Sequence, residues 1–412
     1  MKYVFYFDEA FHDRKIVLSE QGSINTLREE AIDDYVGVFW GFKREYFNEF
    51  TQQLTDFEKK YKRIFGLAED KELKSEIIGK KNYQYGLRSF NKNAQSFYTD
   101  LFKMLSRWDF ILQINIVSKI ELLIREALRP TTFPPFANRN AFIYSLTKLI
   151  VVHRPQQLIT AMEAVANRGD TKHFRDTLLE TLNAYADASY GVARKKRSTE
   201  AFQEMMFIVE SMDFKTQFDA KTDFQYHLNF EGISNLLKEL SINPKDVKIT
   251  IDNEERTFAA AQEYRFGKLK QRQSDYSIQL RLSDLLSCFV GRMIYALKHD
   301  EAAQEKELKD YREIDLEDIK RKRLLNPKWF ELKESHFEMY KLLYEALIVK
   351  HEHYWTTLTS AYNDDTICFY SLLRYVASYQ TYEQFVAVPS NAHSEYYNSC
   401  AVDELNDYYT RI

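Results

Sequence analysis

The start of the chain constrains the fold most. Residues 3–7 read Tyr-Val-Phe-Tyr-Phe, an unbroken apolar run of strand length, and Asp8 and Glu9 follow at once. Such a run is typical of a central strand that is buried on both faces. Ligands of open α/β sheets bind beyond the strand ends, so carboxylates there are well placed for chemistry. The sequence therefore predicts an α/β core with an acidic pair at the end of its first strand.

Further strands and helices follow from the hydrophobic pattern. The alternation or the β-branched and aromatic content predicts strands over residues 35–42, 110–117 and 247–251. Apolar residues at steps of three and four predict helices over residues 45–65, 87–105, 119–128, 230–240 and 279–297. Residues 138–212 are helical in pattern throughout, as is most of the chain after residue 297. Gly66 is expected to end the helix that precedes it.

The order of these elements predicts one interrupted domain rather than several independent modules. Residues 1–130 plus 225–300 would form the α/β core, and residues 131–224 a helical insertion that begins near Pro134 and Pro135. Residues 301–412 would form a helical C-terminal extension.

Composition narrows the function classes. A net charge of −4 over 412 residues argues against a protein that binds polyanions through an overall basic surface, although it allows a local basic surface. The three cysteines are far apart and lack zinc-site spacing, which is typical of a protein in the reducing cytoplasm. No stretch approaches the ~18 apolar residues that a membrane span needs, so no membrane partner is expected.

Acidic residues at the ends of strands and in the late helix are the candidates for chemistry. They are Asp8, Glu72 or Glu76, Asp252 and Asp284. Carboxylates held together repel one another and need a cation between them, and hard oxygen ligands suit Mg²⁺ or Mn²⁺. The alternative is that they are solvated acids, with Glu72 and Glu76 on a charged surface and Asp252 in an ordinary turn.

Asp284 has the most informative position. At 100° per residue it lies opposite the apolar stripe of its helix and groups with Arg281, Cys288 and Gly291. That side is small and weakly polar where a solvent-facing side would be richly charged. We therefore expect another segment to pack closely against Asp284, the alternative being an exposed aspartate.

Basic residues lie between the last two acids. Lys268, Lys270 and Arg272 could hold the phosphates of a nucleic-acid backbone, and an ordinary solvated surface is the alternative. For the basic runs 194–197 and 320–323 a solvated surface is the favoured interpretation. His12, four residues beyond Asp8, could act as a proton shuttle, the alternative being a surface histidine.

Several short motifs, in matching order and spacing, resemble a large prokaryotic family of unknown function. Residues 6–9 (Tyr-Phe-Asp-Glu) are similar to its N-terminal Tyr-x-Asp-Glu strand, and residues 278–286 to its late Leu-Gln-Leu-Ala-Asp-Leu-Leu helix. Residues 72–75 (Glu-Leu-Lys-Ser) and 249–254 resemble two further segments of that family. Ala10 and Phe11 depart from its pattern, which has Ser or Thr and then Gly after the acidic pair.

That family is thought to adopt a ribonuclease H-like (RNase H-like) fold. The resemblance implies an RNase H-like mixed sheet with flanking helices, and a metal-dependent nuclease acting on RNA or DNA, associated with phage defence or mobile elements. Asp8, Glu72 (or Glu76), Asp252 and Asp284 would be the catalytic ligands of two Mg²⁺ or Mn²⁺ ions, which clamp the attacking and leaving oxygens. The alternative is an inactive scaffold whose insertion and tail bind a protein or nucleic-acid partner, as the departure at Ala10 and Phe11 allows.

Overall fold

The computed structural model describes residues 2–10, 34–129, 131–192, 196–214, 227–306, 324–351 and 360–410. Its strands are β1 (Tyr3–Ala10), β2 (Asp34–Lys43), β3 (Gln84–Leu87), β4 (Ile111–Ser118), β5 (Thr131–Thr132), β6 (Asp213–Phe214), β7 (Val247–Ile251) and β8 (Lys268–Gln271).

Five strands form the central sheet, in the order β4-β2-β1-β7-β8. β2 is antiparallel to both β1 and β4, whereas β7 is parallel to β1 and β8 is parallel to β7. Parallel strands end at the same edge of a sheet, so Asp8, Asp252 and Arg272 come to one edge. The predicted mixed α/β architecture is confirmed, and the strand predicted over residues 247–251 has the bounds that the structure gives β7.

The helices are α1 (Phe47–Phe65), α2 (Lys92–Ser106), α3 (Lys119–Ala127), α4 (Arg139–His153), α5 (Gln156–Arg168), α6 (Thr171–Ser189), α7 (Lys196–Ser211), α8 (His227–Glu239), α9 (Glu255–Gln262), α10 (Ile278–Lys306), α11 (Glu334–Leu347), α12 (Asp364–Ala377), α13 (Tyr382–Val386) and α14 (Ser390–Thr410). None of the helices in these described ranges is both long and apolar enough to cross a bilayer.

The start of the helix predicted over residues 87–105 was wrong. Residues 84–87 form β3, and α2 begins only at Lys92, where the Asn91 side chain caps it by accepting from the Ala94 amide at 2.9 Å. Gly86 has φ +58, and a Cβ there would lie 2.5 Å from the Trp329 ring. The backbone at Gly86 is therefore packed against a residue more than 240 positions away, and the local hydrophobic periodicity cannot indicate such a contact.

Alternation along β1 separates two layers. Phe5 and Phe7 pack with Ile249 in a core that also contains residues of α8 and α9. Val4 and Tyr6 point to the other face, into a larger core that includes residues of α1, α2 and α10. By the same alternation Asp8 faces the α10 side and Glu9 the α9 side.

The helical block from α3 to α7 has a separate hydrophobic cluster. The two-stranded ladder of β5 and β6 joins the beginning of this block to its end. The C-terminal helices α11, α12 and α14 instead share the large core on the α10 side of the sheet. The predicted division into core, insertion and extension stays a prediction.

Candidate functional site

Asp8 lies on the face of β1 that α10 covers, and it is partly exposed. Its Oδ1 accepts a hydrogen bond from the Glu9 amide at 2.8 Å. Burial raises the pKa of Asp8 well above its ordinary range, and the charge of Asp284 is the next largest cause, with smaller contributions from Asp252 and Glu254. The tertiary structure therefore brings Asp8, Asp252 and Asp284 into electrostatic contact, although they are far apart in sequence.

Asp284 is held against a short 3₁₀ segment, Ser75–Ile77. The Ser75 amide donates to Asp284 Oδ2 at 3.2 Å, and the Ser75 hydroxyl and the Cys288 thiol each lie 3.5 Å from Oδ1. Burial nevertheless raises the pKa of Asp284. The prediction that another segment packs closely on this side of the helix is confirmed.

Arg292 fastens the same segment one helical turn beyond Cys288. Its Nη1 donates to the Ser75 and Ile78 carbonyl oxygens, both at 2.7 Å. Because Arg292 satisfies these carbonyls from α10 itself, the segment and the helix form a single unit around Asp284.

The structure distinguishes Glu72 from Glu76, which the sequence left open. Glu76 is exposed. The Glu72 side chain is 17% exposed, with Oε2 3.0 Å from the Lys74 ammonium and a buried Oε1 that has no hydrogen-bond partner among the described residues. Burial and neighbouring Asp275 raise the pKa of Glu72. Of the two, Glu72 has a buried carboxylate oxygen without a partner, whereas the Glu76 side chain is exposed to solvent.

Asp252 follows β7 directly and is partly buried. Its Oδ1 accepts from the Asn253 amide at 2.7 Å and from the Ser274 amide at 3.2 Å. Asp252 thus connects the end of β7 to the segment that leads into α10. The alternative from the sequence was an ordinary turn after Asp252. The chain instead enters a helix there, because Glu254 immediately precedes α9, which the sequence did not predict.

Glu9 has a separate environment on the opposite face of the strand. The Thr257 hydroxyl lies 3.3 Å from Glu9 Oε1 and 3.1 Å from Glu254 Oε2. Burial raises the pKa of Glu9, and its hydrogen bond with Glu254 raises it further. The adjacent acids Asp8 and Glu9 therefore belong to different sites, a separation that strand alternation alone could have suggested.

The carboxylates of Asp8, Glu72 and Asp284 are the type of ligand that a hard cation prefers, but they are not already arranged around one point. Within the described ranges, no three Asp, Glu, His or Cys side chains already surround a point that could hold a metal ion. The charge of Asp284 nevertheless makes the ionisation of Asp8 more costly, and the buried Glu72 Oε1 has no hydrogen-bond partner among the described residues. A cation would relieve both conditions once a third carboxylate turned toward the pair.

The predicted phosphate-binding residues lie on the edge of the sheet. Lys268 and Lys270 belong to β8, a strand that the sequence did not predict, and Arg272 follows it; all three side chains are exposed. The Arg272 amide donates to the Ile251 carbonyl at 3.0 Å, next to Asp252. Phe11, His12 and residues 194–195 and 320–323 lie outside the described residues.

Comparisons with known proteins give no relative. No family model matches the chain, and neither a curated protein nor a solved structure matches it.

Proposed function

We propose that this chain is a metal-dependent nuclease with an RNase H-like core. The observation that carries the proposal is the pairing of Asp8, on the central strand, with Asp284, on the helix that covers it. These residues are 276 positions apart in the sequence, yet the charge of Asp284 is the largest cause, after burial, of the raised pKa of Asp8. Structural acids usually point to solvent or to a basic partner, whereas these two are partly buried, and the charge of one raises the pKa of the other.

The order of the strands supports the RNase H-like part of the proposal. Three antiparallel strands with β1 at one side, followed by two strands parallel to β1, form the mixed sheet expected of such a core. The acids lie on β1, just after β7 and in the helix over β1, as the resemblance implies.

The chemistry follows from the donors. A bound Mg²⁺ or Mn²⁺ would supply Lewis-acid stabilisation of the charge that develops on phosphodiester oxygens. Asp8 and Asp284 would hold such an ion, and Glu72 would offer its unpartnered Oε1. Ser75 and Arg292 keep Asp284 oriented, and Arg272 would draw a phosphate toward this end of the sheet.

The test is cleavage of single- and double-stranded RNA and DNA by the 412-residue chain with Mg²⁺ or Mn²⁺. We expect Asp8→Asn and Asp284→Asn each to lower the rate by roughly 10²-fold or more, the usual cost of losing a group that stabilises transition-state charge. Asp56→Asn is the matched control, because Asp56 is exposed on α1 and its side chain accepts a hydrogen bond from nearby Gln52 on the same helix. Equal activity of the wild type and both site variants would refute the proposal.

The second candidate function is a scaffold without catalysis. The lack of a preassembled ligand trio within the described residues favours it. Titration calorimetry separates the two functions. Saturable Mn²⁺ binding that Asp8→Asn abolishes supports the nuclease. No binding, together with a stable complex in a pull-down, supports the scaffold.

A further inference from the structure

Five basic residues lie close enough for the charges of the other four to act on Lys248, the one in their midst. They are Arg44, Lys248, Lys268, Lys270 and Arg272, called here the basic strip. Lys248 is directly across from Val4 on one side and from Lys268 on the other, and Lys270 is across from Thr250. Residues that pair across parallel strands share a face, so these lysines point to the same side of the sheet as Val4 and Asp8.

The charges of the strip are close and uncompensated. The pKa of Lys248 is lowered, first by burial and then by Lys270, Lys268, Arg44 and Arg272 in that order. Across the described ranges, none of the five forms an ion pair. Repulsion of this kind costs stability, so an anionic partner is the natural occupant.

The strip leads to the acids. β7 and β8 run parallel to β1, so the strip extends from Lys248 and Lys268 to Arg272 at the edge where Asp8 and Asp252 lie. The Arg272 amide donates to the Ile251 carbonyl at 3.0 Å, and Ile251 pairs with Phe7, the residue before Asp8.

An aromatic ring stands exposed beyond Arg272. Tyr276 is 69% exposed. Its segment is fixed, because Arg281 Nη1 donates to the carbonyl oxygens of Ser274 and Asp275 at 2.7 and 3.2 Å, and the Tyr276 amide donates to the Gln273 carbonyl at 3.1 Å. A ring on a fixed backbone can stack on a base with little loss of conformational entropy.

We propose that the basic strip and Tyr276 bind single-stranded nucleic acid, with phosphates along the strip and one base on Tyr276. That this strand then runs to Asp8 and Asp284 rests on the proposed nuclease function. Side chains two residues apart on a strand are about 6.6 Å apart, a spacing that suits successive phosphates of an extended strand. Because the whole chain carries a net charge of −4, the strip is a local feature and not a consequence of a basic protein.

The experiment measures binding without cleavage. Fluorescence anisotropy in the presence of a chelator measures binding of the 412-residue chain to a labelled single strand of about 20 nucleotides and to the matching duplex. That strand is longer than the roughly 4–16 nucleotides that single-strand sites cover. The variants are K268E/K270E, the milder K268Q/K270Q and Tyr276→Ala. The matched control is K92E/K172E, since Lys92 and Lys172 are exposed on other helices.

We expect the wild type to bind the single strand more tightly than the duplex. K268Q/K270Q should weaken single-strand binding about tenfold and lower the slope of log K against log salt by about 1.4, as for two lost phosphate contacts. Tyr276→Ala should weaken binding roughly tenfold with the salt slope unchanged, because stacking releases no counterions. K92E/K172E should bind like the wild type.

Three outcomes would overturn the inference: equal affinity for the duplex, unchanged affinity of both strip variants, or a loss in K92E/K172E as large as in K268E/K270E. Binding of anionic lipid vesicles in preference to the oligonucleotide would assign the strip to a membrane surface and overturn it as well. Binding as expected from a protein that cleaves nothing would reject the nuclease function and leave this inference standing. Cleavage of nucleic acid together with unchanged affinity in the strip variants would reject this inference and leave the nuclease function standing.

Discussion

The ion pair between Glu58 on α1 and Arg281 on α10 offers a sharp test of how the site is held. Arg281 Nε and Nη2 donate to the two Glu58 carboxylate oxygens at 2.6 and 2.9 Å, and the side chains are only 11% and 8% exposed. The third guanidinium nitrogen reaches the carbonyl oxygens of Ser274 and Asp275. The pair therefore joins α1, α10 and the segment whose Ser274 amide donates to Asp252.

Glu58→Ala would leave the Arg281 charge buried without its counterion. Breaking a buried pair on one side costs about 3–5 kcal/mol of the free energy of unfolding. The double variant E58L/R281M leaves no buried charge, and its main loss is the two hydrogen bonds to the Ser274 and Asp275 carbonyls, about 1 kcal/mol each. We therefore expect the double variant to be more stable than the single variant by about 1–3 kcal/mol.

Urea unfolding followed by circular dichroism measures these differences by linear extrapolation. Asp56→Ala is the control on the same helix, and as an exposed substitution it should change stability by no more than about 0.5 kcal/mol. A cost below about 1 kcal/mol for Glu58→Ala, or a double variant no more stable than the single, would refute the reasoning.

Two further predictions concern the carboxylates of Asp8 and Glu121. Because the pKa of Asp8 is raised in the folded state, ionised Asp8 destabilises the fold, and stability falls as pH rises above about 4 toward the folded pKa. In chelator, Asp8→Asn should therefore melt above the wild type at pH 7–8, with the difference closing as pH falls toward about 4; an unchanged difference contradicts this. Glu121 on α3 is buried and accepts from the Ala361 and Tyr362 amides at 2.9 and 2.8 Å. Glu121→Ala should cost about 3–5 kcal/mol and speed hydrogen exchange at those two amides, and exchange at the wild-type rate would contradict it.

Local pattern determined most of the elements. Buried strands need continuous or alternating apolar residues, and helices need apolar steps of three and four, so β1, β7, α1 and α10 could be predicted from single segments. Gly66 ends α1 with φ +68, as its freedom from a side chain predicted. The same reasoning placed Asp284 on a closely packed side of its helix, because one helix turn is enough to define a face.

Elements with little buried surface escaped prediction. β8 reads Lys-Leu-Lys-Gln, and Leu269 is its one partly buried residue. A single apolar residue between polar ones is too short an alternation to indicate a strand. α9 follows β7 after a few polar residues and resembles a turn in sequence. Both are stabilised by pairing or packing with residues distant in the chain, and the secondary-structure propensity of a short segment does not reveal such partners.

The acidic pair of the first strand separates what the sequence determined from what the tertiary structure decided. The sequence by itself determined that Asp8 and Glu9 follow a buried apolar run and that adjacent residues of a strand face opposite ways. It placed the end of the strand too early, because β1 runs on to Ala10, and Asp8 and Glu9 pair with Val38 and Gly37 of β2. Only the tertiary structure decided that the charge of Asp284 acts on Asp8, that Glu9 hydrogen-bonds with Glu254, and that Glu72 rather than Glu76 has a buried oxygen without a partner among the described residues. The physical reason is that these contacts join segments more than 200 residues apart, as Ser75 and Asp284 are, and only the folded core brings such segments together.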